Sequence, residues 1–517
     1  MSLPVYRLWS GGQEKEGTEE PIPVENPATG EVFATCQSAS AQDVDDAVQA
    51  AHAVFVKGTW SSSAARAQRA DVLEAAAAKL TDALPELIRL EVQQTGRATR
   101  EMQAQVPSLV RWFRYYAALL RTDEKPVFPT MGKLHNWSER EPLGVVVLVT
   151  PFNHPLLIAV KKLAPALAAG NSVILKPSEL TPLSSLRLGV LLQEAGLPAG
   201  VFSVLPGPGI VTAAALATHP LVRSVDITGG TVAGRALGAM AGRNLAKFNA
   251  ELGGKAPVVV FGDADIEAAI NGVAFGAFVA SGQTCVAATR ILVEKSVFPQ
   301  VVAGLERKAR FIEANMGRAP TDGACTMGPL VSAKQLRHVE SLVNDAVTGS
   351  QLATAVVGGA RMTSTAAYDY ARGYYFPPTI LVSAEGKNIL DSRVWKEEAF
   401  GPVIVVAPFE TEAEAVALAN DSEFGLGGAV WTKDLSRAFR VSQQIRAGIV
   451  WVNTHHRNDP SSPWGGVTSS SGVGSENGRE ALHYYTMAKS TVINYAAPED
   501  AKAEDWFNDG GATVRYG

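Results

Sequence analysis

The chain has 517 residues, 46% of them hydrophobic and 19% charged, with a formal net charge of −5, the balance of a globular protein large enough for two or three domains. Lys/Arg and Asp/Glu are mixed along the whole length, so no basic stripe is present to neutralise a phosphate backbone, and nucleic acid is not an expected partner. The longest apolar stretch, Gly144 to Pro151, falls short of the ~20 residues a bilayer requires, so no membrane partner is expected either.

The opening MSLPVYRLWSGGQEKEG reads as neither a secretory signal nor an Arg-rich transit peptide, which makes the cytoplasm the expected location. Residues 41–118 are Ala/Leu-rich with a helical period. Residues 122–141 contain Pro126, Pro129 and Gly132 ahead of polar β-type residues, which suits a projecting hairpin. From Val145 to about Phe261 short apolar runs alternate with helical patterns: GVVVLVTP, LLIAVKKLAPALAAG, SVILKP, SSLRLGVLLQEAG, VFSVLPG, SVDITGG. That spacing predicts βαβ units and a parallel sheet covered on both faces. A second series, PVVVFG, TRILVEK, TILVSA, VIVVAPF, AVWTK and IVWVN, predicts a second α/β domain. The late run KSTVINY, Lys489 to Tyr495, reads as an edge strand able to pair with the hairpin or with another chain.

Three cysteines, Cys36, Cys285 and Cys325, leave one unpaired under any disulfide scheme and lack metal-ligand spacing, so no metal is expected. A lone cysteine is ordinarily a small buried hydrophobe. Cys285, however, sits in the Gly/Ser/Thr-rich SGQTCVAATR just before a strand, where a domain junction is expected. Glu251 lies upstream in ELGGKAPVVV, where Gly253 and Gly254 permit a tight turn before a buried strand. Such a carboxylate is either a surface group or a general base. Asn153, in TPFNHP, follows a strand and precedes a helix; it is a helix cap or, beyond the carboxyl end of a parallel strand, a functional side chain. Gly229, Gly230 and Gly234 form a glycine turn between strand and helix that does not match GxGxxG, a weak dinucleotide signal. Lys176 and Glu179 of SVILKPSE also follow a strand, where a carboxylate can accept from ribose hydroxyls.

The ordered set FNHP, KPSE, TGGTVAG, ELGGK, GQTC, EEAFGP, WVN and PWGG resembles the aldehyde dehydrogenase superfamily, from about Pro23 to Tyr495. The resemblance implies an α/β fold with a Rossmann-type cofactor domain (1–121 and 143–252) and an α/β catalytic domain (253–452). It adds a small β oligomerisation domain (122–142 and 476–497), leaving a C-terminal tail (498–517), and it implies a homodimer or homotetramer. It makes Cys285 the nucleophile, with oxyanion donors in the Asn153 amide and the Cys285 N–H. Glu251 becomes the base that activates water for thioester hydrolysis, and Lys162 and Glu476 a proton relay. The implied cofactor is NAD, held by Lys176 and Glu179 at the ribose, Gly229, Gly230 and Gly234 at the pyrophosphate, and Glu398 and Phe400 at the nicotinamide; nearby Lys176 leaves NADP open. Two departures stand out: Gly230 where many relatives have Ser, and a Val467–Gly472 segment without Lys that is one residue longer.

By the same resemblance the aldehyde tunnel is lined by His154, Ile158 and Lys161 on one helix face, by Thr284 and Val286 beside the nucleophile, and by the 454–463 loop with His455, His456 and Arg457. Donors and cations converging there suit a carboxylate-bearing semialdehyde or aromatic aldehyde. The alternative is a neutral aromatic or medium-chain aldehyde between walls of Trp112, Phe113 and Trp464. Three other readings compete: a CoA-acylating enzyme, against which Glu251 argues; a cysteine hydrolase, which needs a histidine beside Cys285; and a scaffold that kept only the fold.

Overall fold

Runs of apolar residues with no polar alternation build the two central sheets. In the computed structural model, which describes residues 3–130, 132–316, 320–362, 364, 368–502, 507 and 510, every residue of strands Val145–Val149 and Ser172–Lys176 is buried. Val146, Leu148, Val173 and Leu175 enter one core, while Val145, Val147, Val149 and Ile174 enter another. This is the pattern of a parallel strand covered on both faces.

The first sheet has eight strands, in the order Gly472–Val473, Lys247–Glu251, Val222–Thr228, Val145–Val149, Ser172–Lys176, Phe202–Val204, Leu8–Ser10, Gln13–Lys15. Its interior pairs are parallel. The second sheet, of seven strands, runs Ala353–Val357, Thr379–Ser383, Val403–Phe409, Ala288–Glu294, Ala256–Val260, Gly427–Trp431, Ile449–Val452. Only its first pair is antiparallel.

The late run predicted as an edge strand does pair with the hairpin. Thr486–Asn494 lies antiparallel to Leu134–Pro142, from Thr486 opposite Pro142 to Asn494 opposite Leu134. Ahead of it, helix Gly478–Tyr484 sends Leu482 into the first sheet's core. A small sheet of Val5–Tyr6, Glu31–Ser38 and Glu19–Asn26 had no expectation attached to it. No described helix is long and apolar enough to cross a membrane. Most of the 498–517 tail lies outside the described residues.

The strand ending in Glu251 is braced on its outer side by Gly472–Val473. Gly472 has φ +133°, and a Cβ there would lie 1.9 Å from the Ala250 carbonyl oxygen. Both the backbone angle and the backbone contact therefore demand glycine. Gly472→Ala is expected to cost about 1–3 kcal/mol, seen as a lower urea midpoint with an unchanged m-value; a midpoint equal to wild type would show that this edge yields freely.

Candidate active site

The two sheets meet where the chain leaves one for the other. Glu251 ends a strand of the first sheet and Ala256 begins a strand of the second, so residues 252–255 form the seam. Neither Gly253 nor Gly254 has a left-handed backbone, which corrects the tight-turn expectation. They are glycine because other groups press against them. A Cβ on Gly254 would lie 2.0 Å from the Cys285 carbonyl oxygen, and one on Gly253 would lie 2.6 Å from Glu398 Oε2. Glu398 Oε1 in turn accepts the Gly254 N–H at 2.9 Å.

Cys285 is presented by a strained loop. Ala280, Ser281 and Gly282 are consecutive left-handed residues, an arrangement that persists only when its surroundings over-determine it. Here Ser281 Oγ donates to the Gly328 carbonyl (2.8 Å) and Gln283 Oε1 accepts the Val331 N–H (3.0 Å). Asn153 Nδ2 donates to the Gln283 carbonyl at 2.7 Å, which turns the amide nitrogen toward the Cys285 loop and leaves its second N–H available. The Cys285 N–H has no protein acceptor among the described residues.

A cavity of about 380 Å³ is lined by Asn153, Glu251, Cys285, Glu398 and Phe400 together with Gly229 and Gly230. His154, Ile158, Lys161, Thr284, Val286, His456, Trp464 and Glu476 also line it. Gly234 does not line it; a Cβ there would lie 2.4 Å from Leu252 Cδ2, so its lack of a side chain sets how closely helix Thr231–Arg243 packs on the seam. Lys176 and Glu179 lie outside this cavity, with Lys176 Nζ buried and 3.3 Å from the half-exposed Glu179 carboxylate.

Charge is concentrated behind Glu251. Lys161 Nζ reaches Glu476 Oε2 at 2.6 Å and Lys162 Nζ reaches Glu476 Oε1 at 2.5 Å. Lys162 also pairs with Asp226, which accepts from Tyr485 Oη and, at 3.0 Å, from Asn249 Nδ2. Burial opposes the Glu476 charge, but the two ammonium groups outweigh it and hold its carboxyl down to about 2. Glu251 has the opposite balance. Burial and the neighbouring Glu476 charge push its carboxyl well above the usual range, only partly offset by Lys161 and Lys162. Neither of its oxygens has a hydrogen-bond partner among the described residues. Burial, reinforced by Glu251 and Glu398, pushes the Cys285 thiol up to about 12. Glu398 is raised to about 7 by burial, and buried Lys255, with no partner on Nζ, is lowered to about 7.

Of the cationic and donor groups expected along the tunnel, His154, Lys161 and His456 line the cavity and His455 does not. Burial, with Arg97 nearby, holds His154 and His456 well below their usual range, and His455 falls to about 4. All three rings are neutral at pH 7. His456 Nε2 meets Thr284 Oγ1 at 2.9 Å, and His455 turns away from the cavity to pack on Trp451, ring centroids 4.8 Å apart. Lys161 does reach the wall, but with its charge matched by Glu476 and its ammonium 4.2 Å from the Trp464 ring centroid. Trp112 is likewise outside the inner cavity, its Nε1 donating to Asn477 Oδ1 at 2.9 Å, and Phe113 is core.

Several residues went unread in the sequence. Gln335 donates to the Ala399 and Phe400 carbonyls (2.9 and 2.8 Å), and His338 Nε2 lies 3.1 Å from the Glu398 carbonyl. They fix the loop in which Phe400 holds φ +47°. Their three-residue spacing on one helix was the available signal. Asp226, a lone acid in the otherwise buried apolar strand SVDIT, was another. Arg97, which reaches His154 Nδ1 at 2.6 Å, sits in TGRAT with no pattern to announce it.

Residues 13–491 match the profile of the aldehyde dehydrogenase family. The chain is 37% identical over 510 residues to a phenylacetaldehyde dehydrogenase of Pseudomonas fluorescens, covering 96% of this chain and 97% of that one. Identity is also 37%, over 509 residues, to betaine aldehyde dehydrogenase 1 of Oryza sativa subsp. japonica, with 96% and 97% covered. A solved betaine aldehyde dehydrogenase of Staphylococcus aureus in complex with NAD+ superposes with TM-score 0.90 at 34% identity, covering 95% of each chain. Matches that run through both central sheets and span nearly the whole of each relative place this chain in the aldehyde dehydrogenase family, whose members oxidise aldehydes.

Proposed function

We propose that the protein oxidises an aldehyde to its carboxylic acid with NAD, through a thioester on Cys285 that water hydrolyses with Glu251 as base. The observation that carries this reading is the single cavity onto which Cys285, Asn153, Glu251 and Glu398 all open.

The residues at the cofactor end fit a dinucleotide. Helix Thr231–Arg243 begins at Gly230 with no side-chain cap, so its first-turn N–H groups are available to a pyrophosphate. Thr228 Oγ1 beside it is buried and without a partner. Glu179 and Lys176 would take the adenosine ribose, and Glu398 and Phe400 the nicotinamide end. When bound, the cofactor supplies the acceptor for the hydride that leaves the substrate carbon.

For the protein's part, Cys285 Sγ bonds to the carbonyl carbon and the carbonyl oxygen becomes an oxyanion, for which the Asn153 amide and the Cys285 N–H are the free donors. A thiol raised to about 12 must give its proton to a base, and Glu251, with both oxygens free and its affinity for protons raised, is matched to that task. Loss of hydride re-forms the C=O bond as a thioester. Water then adds, its proton passing to Glu251, and the Cys285 thiolate leaves as the acid forms. Glu251 returns the thiol's proton to water in the cavity before it takes the second one, and Glu476, held down to about 2 by Lys161 and Lys162, raises the affinity of Glu251 through its charge. Transfer to water, rather than to CoA, follows from an unpartnered carboxylate facing the thioester. No histidine hydrogen-bonds Cys285 among the described residues, which disfavours a cysteine hydrolase.

The neutral histidines, Leu157, Ile158, Val286 and Trp464 favour an uncharged aliphatic or aromatic body next to the aldehyde carbon. The exposed Val127, Phe128, Val492 and Ile493 of the small sheet suit association of two or four copies.

Cys285→Ser should abolish NADH formation while leaving NAD binding intact. Glu251→Gln should release close to one NADH per site and then stall, with the acyl-enzyme visible by mass spectrometry; steady turnover without trapped thioester would remove Glu251 from hydrolysis.

Because Glu251 must be ionised and its carboxyl is raised, hydrolysis should speed up as pH rises through that elevated value. Lys162→Met withdraws a cation that lowers it, so the limb should move to still higher pH in single-turnover measurements. The same change leaves Asp226 and Glu476 short of a buried partner and should cost about 3–5 kcal/mol of stability. An unmoved limb would show that Glu251 does not govern the step.

A further inference from the structure

The inner cavity opens past Gln105, His154, Leu157, His456 and Asn458, which also line a second chamber of about 850 Å³. Three exposed arginines stand around that chamber: Arg100 on helix Thr99–Gln105, Arg111 on helix Val110–Thr122, and Arg457 on the loop after strand Ile449–Val452. None of their guanidinium groups makes an ion pair or hydrogen bond with a described residue.

The acids nearby do not balance them. Glu101 is occupied by Arg97 at 3.0 Å and by the Ala280 N–H at 3.2 Å. Among the described residues that line the chamber, Asp459 is the one further acid; it is held by Ser461 and, more weakly, by Arg111. Two arginine charges are thus left in excess beside the apolar surfaces of Phe275, Trp451 and Trp112. The inner cavity has the opposite character, with neutral histidines and a lysine already paired. A carboxylate drawn inside would lose its hydration with no free cation to meet it, whereas one stopping in the outer chamber stays wet and meets guanidinium groups suited to bidentate contact.

We propose that the outer chamber is a recognition subsite for a carboxylate at the far end of the aldehyde substrate, read by Arg100, Arg111 and Arg457. This rests on the Cys285 cavity being the aldehyde tunnel. The substrate class it defines is an aldehyde with an uncharged spacer long enough to carry its anionic end beyond His154 and His456.

The test uses the full chain with NAD and two matched series of straight-chain aldehydes, methyl-ended and carboxylate-ended, from short to long. In wild type the ratio of kcat/KM, carboxylate over methyl, should rise once the spacer reaches the chamber, by about tenfold at low salt, and shrink as salt screens the field. The triple variant R100Q/R111Q/R457Q should flatten that rise through KM, with kcat for the long carboxylate little changed, since these side chains do not meet the reacting carbon. Arg310→Gln removes an exposed charge on helix Phe298–Met316, away from both chambers, and should leave the ratio as in wild type. A ratio independent of length in wild type, or a rise that survives in the triple variant, overturns the subsite while oxidation of the methyl-ended series upholds the tunnel. Failure to oxidise either series overturns the tunnel, and the subsite with it.

Discussion

The catalytic centre depends on one close backbone approach. At Gly253 and Gly254 the chain passes so near Glu398 and the Cys285 carbonyl that no side chain fits between. That approach is possible only at the seam, where four residues carry the chain from the strand ending in Glu251 to the strand beginning at Ala256. The base candidate, the nucleophile's loop and the Glu398 carboxylate are therefore positioned by the same short segment. Rigid parallel strands on either side make the placement reproducible, which a site built on free loops would lack. The cost is a left-handed run at Ala280–Gly282 and at Phe400, of order 1–3 kcal/mol per residue where the residue is not glycine, sustained by the bonds from Ser281, Gln283 and Gln335.

The same crowding sets the electrostatics. Lys161 and Lys162 face Glu476, Asp226 and Glu251, two cations against three acids. The cluster is neutral when one acid holds a proton. Glu476 is gripped by both lysines, and Asp226 by Lys162, Tyr485 and Asn249, while Glu251 has no protein partner. Burial first, and then the Glu476 charge, therefore raise the proton affinity of Glu251, while Asp226 is raised by its own burial. Once ionised, a carboxylate of raised proton affinity beside a thiol of raised affinity can take the thiol's proton with no change in total buried charge.

What the sequence disclosed was what leaves a trace in spacing. Unbroken apolar runs announced the buried parallel strands; Pro126 to Gly132 marked the hairpin; Lys489 to Tyr495 found its partner there. Cys285, Asn153 and Glu251 stood at strand ends, where side chains of α/β sheets reach ligands. Protonation leaves no such trace. His154, His455, His456 and Lys161 were expected as donor and cationic groups, and burial lowers the proton affinity of the imidazoles while Glu476 pairs with the lysine. Glu476 is set opposite the lysines by the bridge of its backbone to Trp464. Gln335 and Arg97 act through partners distant in sequence, and a single chain read in order does not display such pairs.

Burial and exposure divide the access route into two electrostatic regimes. In the inner cavity a titratable group is worth what its enclosed neighbours make it: histidines lose their protons and ion pairs close on themselves. At the mouth, solvent keeps guanidinium groups charged and their field is limited mainly by screening. On the proposed subsite, discrimination by charge belongs to the outer chamber, where neither partner must be fully dehydrated, and discrimination by shape to the enclosed apolar stretch beside Cys285. The imidazoles beside Cys285 are thus uncharged, the charges that remain there are matched between Lys161 and Glu476, and the guanidinium groups stand apart at the mouth.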